Sequence, residues 1–433
     1  MAGTFALMGQ RRFLPLFATQ FLNAFNDNFY KMSMVVLVTF TIYKDPATEA
    51  WFNALAGGLF ILPYFLFSAI AGQLADSGDK SRIIRLVKSA EILIMIIGAA
   101  GIYLHNVPIM LVTLFAMGVH STFFGPIKYA ILPQHLQEDE VLAGTGWVEA
   151  GTYIAILGGT IVGGLLPTHM SMIGIIIIAL IGRWTARYVP PAPPEIEAKD
   201  MQLDYNIFRS SWQLVSATMH IPRLFLAILS ISFFWAIGAI LAAQFPPMVK
   251  NSLGGDNTVA TMFTAIFSVG VAIGSVIVNR LLKGKVSARY SPISVLIMGL
   301  FVLDLWWNVK GWDHLGAELM NWREFLGLAA GDRIIAALLG IAIAGGMFVV
   351  PLYAFLTTTV SKSQTARTVA ANNIVNSAFM VGAALILGLL IALKLTIADT
   401  LFLVATMCVV SAILARRLNQ ASAAAETRSA KQG

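Results

Sequence analysis

The residues with the most evident chemistry lie in the middle of an apolar segment near the N-terminus. Asn26, Asp27, Asn28 and Lys31 interrupt a run that extends over about residues 13–43. A run of this length can cross a bilayer, which takes about 20 residues. At 1.5 Å of rise per residue, Asp27 lies about 21 Å from the start of the run, near the middle of the membrane. A charge at that depth costs at least about 2.5–3.5 kcal/mol, so the carboxylate is expected to avoid lipid.

Two interpretations of this segment are open from the residues alone. Asp27 and Lys31 are four residues apart and share a helix face, so they can form an ion pair that holds a helical bundle together. Alternatively, the segment binds a polar headgroup or an ion, and Asp27 takes part in coupling. In that case Lys31 is a candidate for occupying Asp27 in the resting state.

Two later apolar segments contribute the other ionisable candidates. Lys128 follows Gly125-Pro126, where the proline is expected to interrupt the hydrogen-bond ladder and kink a helix. Lys128 either extends to the membrane interface or points inward and pairs with an anion such as a lipid phosphate. Glu149 lies in a glycine-rich segment. It is a candidate structural partner of Lys128, a proton carrier, or a contact to a substrate amine.

The composition sets the class of protein that must position these residues. Of the 433 residues 58% are hydrophobic and 12% charged, against about 25% charged in soluble domains. The sequence therefore predicts an all-α polytopic membrane protein. No phosphate loop, zinc spacing or nucleophile elbow occurs in a context that could support catalysis, so neither an enzyme nor a cofactor or metal site is expected.

Twelve apolar spans can be counted between polar, proline or glycine breaks. They cover about residues 13–42, 51–74, 84–104, 108–132, 142–166, 171–189, 223–248, 258–282, 291–309, 332–356, 369–393 and 398–415. This predicts an N-terminal six-helix half (1–189), a cytoplasmic connector (190–222), a C-terminal six-helix half (223–418) and a cytoplasmic tail (419–433). The connector begins with a stiff proline-rich stretch and continues as a helix lying on the membrane surface.

The distribution of Lys and Arg predicts the orientation. If the N-terminus is inside, 21 of the 29 Lys and Arg residues fall in inner segments and only six, including Lys44, fall in outer ones. The positive-inside rule then makes both termini cytoplasmic. The same rule accounts for the net charge of +7 without a nucleic-acid partner.

The two halves also resemble each other weakly. Residues 124–130 in span four are similar to residues 349–354 in span ten, and residues 143–152 in span five align with 370–379 in span eleven. The second alignment places Glu149 opposite Asn376. Six plus six spans with parallel internal similarity is the pattern of major facilitator transporters, whose substrate site is expected midway between the halves.

The loop after span two resembles the signature loop of the major facilitator superfamily. It reads Gly72-Gln-Leu-Ala-Asp76-Ser-Gly78-Asp-Lys-Ser-Arg82, with the family's glycine, acidic and basic positions. The resemblance implies that Asp76 and Arg82 hold a cytoplasmic gate. The alternative is an ordinary charged loop. Glu91, one turn after Lys88 in span three, is expected to form an interfacial ion pair.

A closer resemblance covers nearly the whole chain. Five stretches are similar to the bacterial lysophospholipid transporter family: residues 25–28, 125–129 and 147–150 in the N-terminal half, and 345–352 and Asn376-Ser377-Ala378 in the other. The family implies a flippase that moves lysophospholipids, chiefly lysophosphatidylethanolamine, from the outer to the inner leaflet of the bacterial inner membrane by alternating access. There an acyltransferase coupled to an acyl-carrier-protein synthetase re-acylates them.

The resemblance also suggests the substrate-binding residues. Asp27 and Lys128 are expected to be headgroup contacts in a monomer surrounded by membrane lipids. The full expected set is Asn26, Asp27, Asn28, Lys128, Tyr129, Glu149 and Asn376.

One departure from the family concerns span seven. The family carries a basic residue there, one to two turns after a Phe-Trp pair, whereas Phe234-Trp235 is followed here by Ala242-Ala243-Gln244. This points to altered headgroup selectivity, or to the transporter part of fused transporter–acyltransferase relatives. The other readings are a major facilitator carrier for a different amphipathic solute or drug, proton-coupled through Asp27 or Glu149, and a non-transporting membrane anchor for a lipid-modifying enzyme.

Overall fold

The computed structural model describes residues 6–43, 46–199, 201–313 and 318–432, so Lys44 lies outside the described residues. Twelve long helices, α1–α12, are present in these ranges. They are α1 Leu14–Leu37, α2 Pro46–Ser77, α3 Lys80–Tyr103, α4 Val107–Ala130, α5 Glu138–Leu165, α6 Thr168–Ala186, α7 Pro222–Ser252, α8 Asn257–Leu282, α9 Ser291–Lys310, α10 Ala329–Thr358, α11 Thr365–Ala392 and α12 Ile397–Gln432.

Short helical segments join some of these helices. They are Leu7–Gly9, Val38–Ile42, Leu132–His135, Ile196–Lys199, Ile207–Met219, Trp322–Leu326 and Lys362–Gln364. Within the described ranges the only β-type pairing is an isolated bridge between Gly255 and Met320. The all-α prediction is therefore confirmed.

Ten of the described helices are long and apolar enough to cross a membrane. The remaining two long helices, α1 and α3, carry Asp27 and the Lys88 and Glu91 side chains, all of which are buried.

The twelve helices correspond one for one to the twelve predicted spans. The largest difference in length is at α12, which continues as a helix to Gln432. At α4 the helix continues through Pro126 to Ala130, so the proline does not end it.

The chain divides into two compact units. The first comprises residues up to Thr218 together with Leu356–Ser377, and the second comprises Met219–Phe355 and the residues from Ala378 onwards. The boundaries expected at residues 189, 222 and 418 stay a prediction.

In the first unit, α1 packs against α5 and α6, α2 against α4, and α3 against α4 and α6. Glycines of α5 permit the closest of these approaches. A Cβ on Gly159 would lie 2.2 Å from the carbonyl oxygen of Phe25, and one on Gly163 would lie 2.6 Å from that of Phe29. Small residues let helix backbones approach closely in membranes, where packing rather than the hydrophobic effect drives association. This packing fixes the face of α1 that carries Asp27.

Glycines also allow close packing of helix backbones in the second unit. In it α7 packs against α8 and α12, and α9 packs against α12. Helices α8 and α10 approach through glycines of both. A Cβ on Gly274 would meet the carbonyl oxygen of Ile343 at 2.0 Å, and one on Gly346 would meet that of Val271 at 2.3 Å.

The segment after α6 docks on the loop between α2 and α3. The amide of Ala192 donates to Asp79 Oδ1 at 3.2 Å, and the amide of Lys80 donates to the carbonyl of Ala192 at 3.0 Å. Further on, the amide of Asp204 donates to Gln73 Oε1 at 2.8 Å. The expected surface helix is Ile207–Met219, and its Trp212 side chain is 77% exposed. An exposed Trp on such a helix suits a membrane interface.

Acidification is expected to release the Ala192 contact. Partial burial opposes ionisation of Asp79, but hydrogen bonds from Ser81 and from the Ala192 amide outweigh it and hold the pKa of Asp79 below its ordinary value of 3.8. Because the folded pKa is depressed, the stabilisation is present above the ordinary value and is lost as the pH falls through the folded pKa. Hydrogen exchange of a peptide spanning residues 189–195 should therefore speed up, relative to its intrinsic rate, when the pH falls below about 4.

The matched control for this prediction is Asp79→Asn, which has no carboxylate to titrate. We expect its exchange at residues 189–195, relative to the intrinsic rate, not to change with pH, because the amide oxygen of Asn accepts without titrating. Equal protection of the wild-type segment at pH values well above and well below the ordinary pKa would contradict the prediction.

Candidate functional site

Asp27 is buried between α1 and α4. The Ser121 hydroxyl donates to Asp27 Oδ2 at 2.5 Å, and Asn23 Nδ2 donates to the same oxygen at 3.3 Å. Tyr64 of α2 lies close to this group and interacts with Ser121 and Asp27. Asp27 Oδ1, in contrast, has no hydrogen-bond partner among the described residues. One oxygen is therefore held in place, while the other is available to an incoming donor.

A second carboxylate is buried where α4 meets α5. The Tyr129 hydroxyl donates to Glu149 Oε1, while Glu149 Oε2 has no hydrogen-bond partner among the described residues. Glu149 is fully buried. The neighbouring Lys128 places its Nζ over the Tyr129 ring, 4.8 Å from the ring centroid. A cation above an aromatic face gains roughly 0.5–2 kcal/mol, which helps to hold the ammonium inside the helices.

Lys128 connects the two carboxylates electrostatically. Its ammonium lies within electrostatic reach of both Glu149 and Asp27, and among the described residues it forms no ion pair at 4 Å or less with either. The structure thus brings together three of the residues predicted from sequence, from α1, α4 and α5 of one unit. Asn373 of α11 lies against α4 at Gly125, where a Cβ would be 3.3 Å from Asn373 Nδ2. We refer to Asp27, Lys128 and Glu149 as the charge cluster.

The other predicted residues of α1 lie elsewhere. Asn26 Nδ2 donates to Glu91 Oε1 at 2.8 Å and to the carbonyl of Ile175 at 3.2 Å. Asn28 Nδ2 donates to the carbonyl of Ala24 at 2.8 Å. Lys31 Nζ lies over the Phe60 ring at 5.8 Å from its centroid, and the structure records no ion pair between Lys31 and Asp27. Asn26 therefore connects α1 to α3 and α6, whereas Asn28 bonds within its own helix. Asn376 is buried on α11.

The expected Lys88–Glu91 ion pair is part of a buried network next to Asp27, which the sequence did not reveal. Lys88 and Glu91 form a salt bridge in which both side chains are almost fully buried. His120 Nε2 lies 3.5 Å from Glu91 Oε2. Lys88 Nζ also donates to Asn23 Oδ1 at 3.4 Å, so the network reaches Asp27 through Asn23.

The expected pair of Lys88 and Glu91 is formed, and both of its side chains are buried within the protein. The helices around α3 enclose the pair, and a Cβ on Gly182 of α6 would lie 2.8 Å from Lys88 Cε. The signal in the sequence was the pairing of Asn23 and Asn26 in α1, which supply the polar contacts that a buried ion pair needs.

In the loop after span two, Asp76 makes a buried contact as the motif suggests, but with a different basic residue from the expected one. Asp76 accepts from the amides of Ala366 and Arg367 at 2.9 and 3.0 Å and from Arg367 Nε at 3.1 Å. These are the first residues of α11, so the carboxylate caps the positive end of that helix. Gly72 makes the approach possible, because a Cβ there would lie 2.6 Å from Ala370 Cβ.

The basic residue that contacts Asp76 is Arg367 rather than Arg82. Arg82 is exposed, and its amide donates to the Asp79 carbonyl at 3.0 Å. Gly78 lies in the turn before α3, where a Cβ would be 3.0 Å from the carbonyl of Leu74. The role of this contact as a gate stays a prediction.

Neutralising Asp76 is expected to weaken the hold on α11. Asp76→Asn removes the negative charge at the helix N-terminus, which is worth up to about 2 kcal/mol in a partly buried geometry. The melting temperature of the purified protein should fall by a few degrees. Arg367→Gln should give a smaller fall, because it leaves both amide donors in place.

Arg82→Gln is the comparison that separates the structure from the expectation drawn from the motif. It should leave the melting temperature nearly unchanged, since Arg82 is exposed. A fall as large as that of Asp76→Asn would show that Arg82, and not the α11 contact, carries the motif's stabilising role.

Comparison with known proteins agrees with this architecture. The family model described as Major Facilitator Superfamily matches residues 16–306. The chain belongs to the major facilitator superfamily. It is a multi-pass membrane transporter and not an enzyme.

Curated relatives show which transporters within the superfamily the chain resembles. The chain is 26% identical over 368 residues to "Lysophospholipid transporter LplT" of Enterobacter sp. (strain 638), covering 83% of this chain and 82% of that protein. It is 27% identical over 367 residues to the protein of the same name from Escherichia coli (strain SE11), covering 84% of both. The resemblance to lysophospholipid transporters predicted from the motifs is confirmed.

Solved structures support the fold. The chain aligns with the human organic anion transporter MFSD10 (TETRAN) at a TM-score of 0.75 and 11% identity, covering 94% of this chain and 99% of that one. It aligns with the major facilitator transporter FucP in the outward conformation at a TM-score of 0.72 and 12% identity, covering 94% and 98%. The predicted major facilitator fold is confirmed.

Proposed function

We propose that this transporter moves lysophospholipids, such as lysophosphatidylethanolamine, from the outer to the inner leaflet of a bacterial inner membrane. The observation that carries the proposal is the charge cluster, a half-buried lysine within electrostatic reach of two buried carboxylates that each have one oxygen without a partner among the described residues. Similarity to proteins named lysophospholipid transporters supports the same substrate class.

The charge cluster suits a zwitterionic headgroup. A phosphate carries one negative charge and accepts from Lys128, which acts as a point charge. A primary ammonium has three donors and can reach the available oxygen of Asp27, with Glu149 as a second acceptor. Both charges of the headgroup are then compensated inside the helices, where an uncompensated charge is expensive.

In this scheme the phosphate relies on Lys128 because α7 offers no cation at the family's position. Gln244 stands near that position and is buried, and its Nε2 donates to Thr400 Oγ1 at 3.0 Å. An uncharged amide already committed to a neighbour cannot replace a cation. We therefore expect phosphate recognition by this chain to depend on one lysine.

The proposed cycle is alternating access, with both termini in the cytoplasm. The Asp76 contact to the start of α11 must then break and re-form once per cycle. Delivery to the inner leaflet places the monoacyl product within reach of an acyl-transferring enzyme, which would restore the diacyl lipid. The protein is proposed to act as a monomer.

Reconstitution tests the proposal directly. Purified protein in vesicles receives chain-labelled lysophosphatidylethanolamine in the outer leaflet, and albumin extraction reports how much has moved inward. We expect faster transfer than in protein-free vesicles, and no acceleration for the diacyl lipid of the same headgroup. Transfer equal to that of protein-free vesicles would refute the proposal.

The same vesicles also test the competing carrier reading. Uptake of a labelled amphipathic drug that depends on a pH gradient, without any lysolipid transfer, would favour a proton-coupled carrier that uses Asp27 or Glu149.

A further inference from the structure

A cluster of arginines lies where the N-terminal part of α3 meets the C-terminal end of α6. Arg183 of α6 interacts electrostatically with Arg187, one turn further along, and with Arg85 of α3. Arg183 Nε donates to Ser89 Oγ at 2.7 Å, and this hydroxyl in turn donates to the Arg85 carbonyl at 2.8 Å. Ser89 thus ties the Arg183 guanidinium to the backbone of α3 at Arg85, whose own Nη2 donates to Ser81 Oγ at 3.3 Å. We call the three arginines the arginine cluster.

The arginine cluster lacks a compensating anion. For Arg85, Arg183 and Arg187 the structure records no salt bridge to any carboxylate in the described part of the chain. Arg183 Nη1 is buried and has no hydrogen-bond partner among the described residues. A buried donor without a partner costs about 1–3 kcal/mol, so an anionic acceptor at this position would be stabilising.

An apolar surface leads directly to this cluster. On α6, Ile173, Ile177 and Leu180 are exposed at intervals of three and four residues, which is one helix face. Leu93 on the adjacent helix α3 is 61% exposed. In a membrane-spanning helix such a face meets the acyl chains of lipids.

Aromatic residues mark the level of the membrane interface at the same place. Trp184 and Tyr188 continue the exposed face of α6 beyond Leu180, and their rings meet edge to face at 5.3 Å between centroids. Trp and Tyr are enriched where acyl chains give way to headgroups. The arginine cluster therefore lies at headgroup level, next to the exposed apolar faces of α3 and α6.

We propose that the arginine cluster binds the headgroup of an anionic phospholipid, whose acyl chains lie along the exposed faces of α3 and α6. Guanidinium groups bind phosphate through paired hydrogen bonds. Basic residues next to a membrane also attract anionic lipids electrostatically. A soluble anion would use only the headgroup part of this surface, whereas a phospholipid uses both parts. The inference is independent of which substrate the charge cluster carries.

The test measures lipid-dependent stability of the full chain in detergent micelles. Dioleoyl phosphatidylglycerol is titrated against dioleoyl phosphatidylcholine, and the melting temperature is recorded. A lipid that binds only the folded protein raises the melting temperature with concentration. We expect phosphatidylglycerol to stabilise the wild-type protein more than phosphatidylcholine does, and 0.5 M salt to shrink this preference. Inorganic phosphate at millimolar concentration should give no shift.

Variants locate the site. Arg183→Gln with Arg187→Gln should raise the concentration of phosphatidylglycerol needed for half of the shift at least about tenfold, because two of its phosphate donors are lost. Replacing the same two arginines by lysine keeps the charge and should retain most of the preference. The matched control is Arg416→Gln with Arg417→Gln, an exposed pair on α12, which removes equal charge and should leave the preference intact.

Three results would overturn the inference. Equal shifts with the two lipids in the wild type would exclude an anionic-lipid site, whatever the variants do. A shift reproduced by inorganic phosphate would assign the cluster to a soluble anion. An unchanged preference in the glutamine variant, or an equal loss in the α12 control, would move lipid binding away from α3 and α6.

Discussion

Lys128→Met is expected to lower lysophosphatidylethanolamine transfer by about 10- to 150-fold, because a hydrogen bond to a charged group is worth about 1.5–3 kcal/mol. The substitution keeps an unbranched side chain, one atom shorter than lysine, and removes its charge. Lys128 lies within electrostatic reach of Asp27 and Glu149, and α7 has Gln244 near the position where the family carries a cation. No second basic group therefore takes over the phosphate in the proposed scheme. The measurement is the initial rate of leaflet transfer in vesicles reconstituted with equal amounts of protein.

The control for this variant is Lys250→Met, at the exposed end of α7. It removes one lysine charge from the protein without touching the charge cluster, and transfer should stay close to the wild-type rate. A wild-type rate for Lys128→Met, with correctly folded protein, would contradict phosphate recognition by this lysine.

Glu91→Leu is expected to give the largest loss of stability of any single substitution considered. It leaves Lys88 buried without its partner, and breaking a buried ion pair from one side costs about 3–5 kcal/mol. For a unit of roughly 200 residues this corresponds to a fall in melting temperature of about 6–20 °C. The purified variant can be measured in detergent by differential scanning fluorimetry.

A double substitution tests the physical cause. Lys88→Met combined with Glu91→Leu removes both charges and should recover most of the lost stability, since replacing a whole buried pair by apolar groups is often neutral or stabilising. Arg333→Gln is the surface control, because its salt bridge to Asp304 is largely exposed and such pairs contribute about 0–1 kcal/mol. If the double variant were no more stable than Glu91→Leu, an unpaired buried lysine would not be the cause.

The fold was predictable because hydropathy and length alone define bilayer-spanning segments. All twelve predicted spans correspond to helices, since backbone groups in lipid must be satisfied within the segment. The departures occur where the chain leaves the apolar region. Helix α12 continues to Gln432, beyond the last apolar residues, because nothing in a polar sequence without Pro or Gly forces a helix to end.

The charge cluster was predictable in its members but not in its detailed contacts. Asp27, Lys128 and Glu149 are ionisable groups deep in apolar segments, and such residues must face protein. Successive helix positions, however, differ by about 100° in direction, so Asn26, Asp27 and Asn28 cannot all face one site. The assignment of all three to substrate binding stays a prediction. Asn26 contacts Glu91.

Long-range partners were beyond the reach of the sequence. Asp76 and Arg82 are neighbours in the motif, which made them an obvious pair, yet the carboxylate meets Arg367 at the start of α11. Similarly, the burial of Lys88 depends on the missing side chain of Gly182 in another helix. A single sequence contains both residues but not the packing that brings them together.

The central claim is that Asp27 recognises the headgroup amine while Lys128 holds the phosphate. The most direct measurement compares initial transfer rates of lysophosphatidylethanolamine and lysophosphatidylglycerol, which has the phosphate but no amine, for the wild type and Asp27→Asn. The account predicts that Asp27→Asn lowers the ratio of the two rates about tenfold or more, by a selective loss of the ethanolamine lipid. An unchanged ratio, with both rates lowered equally or not at all, would contradict it.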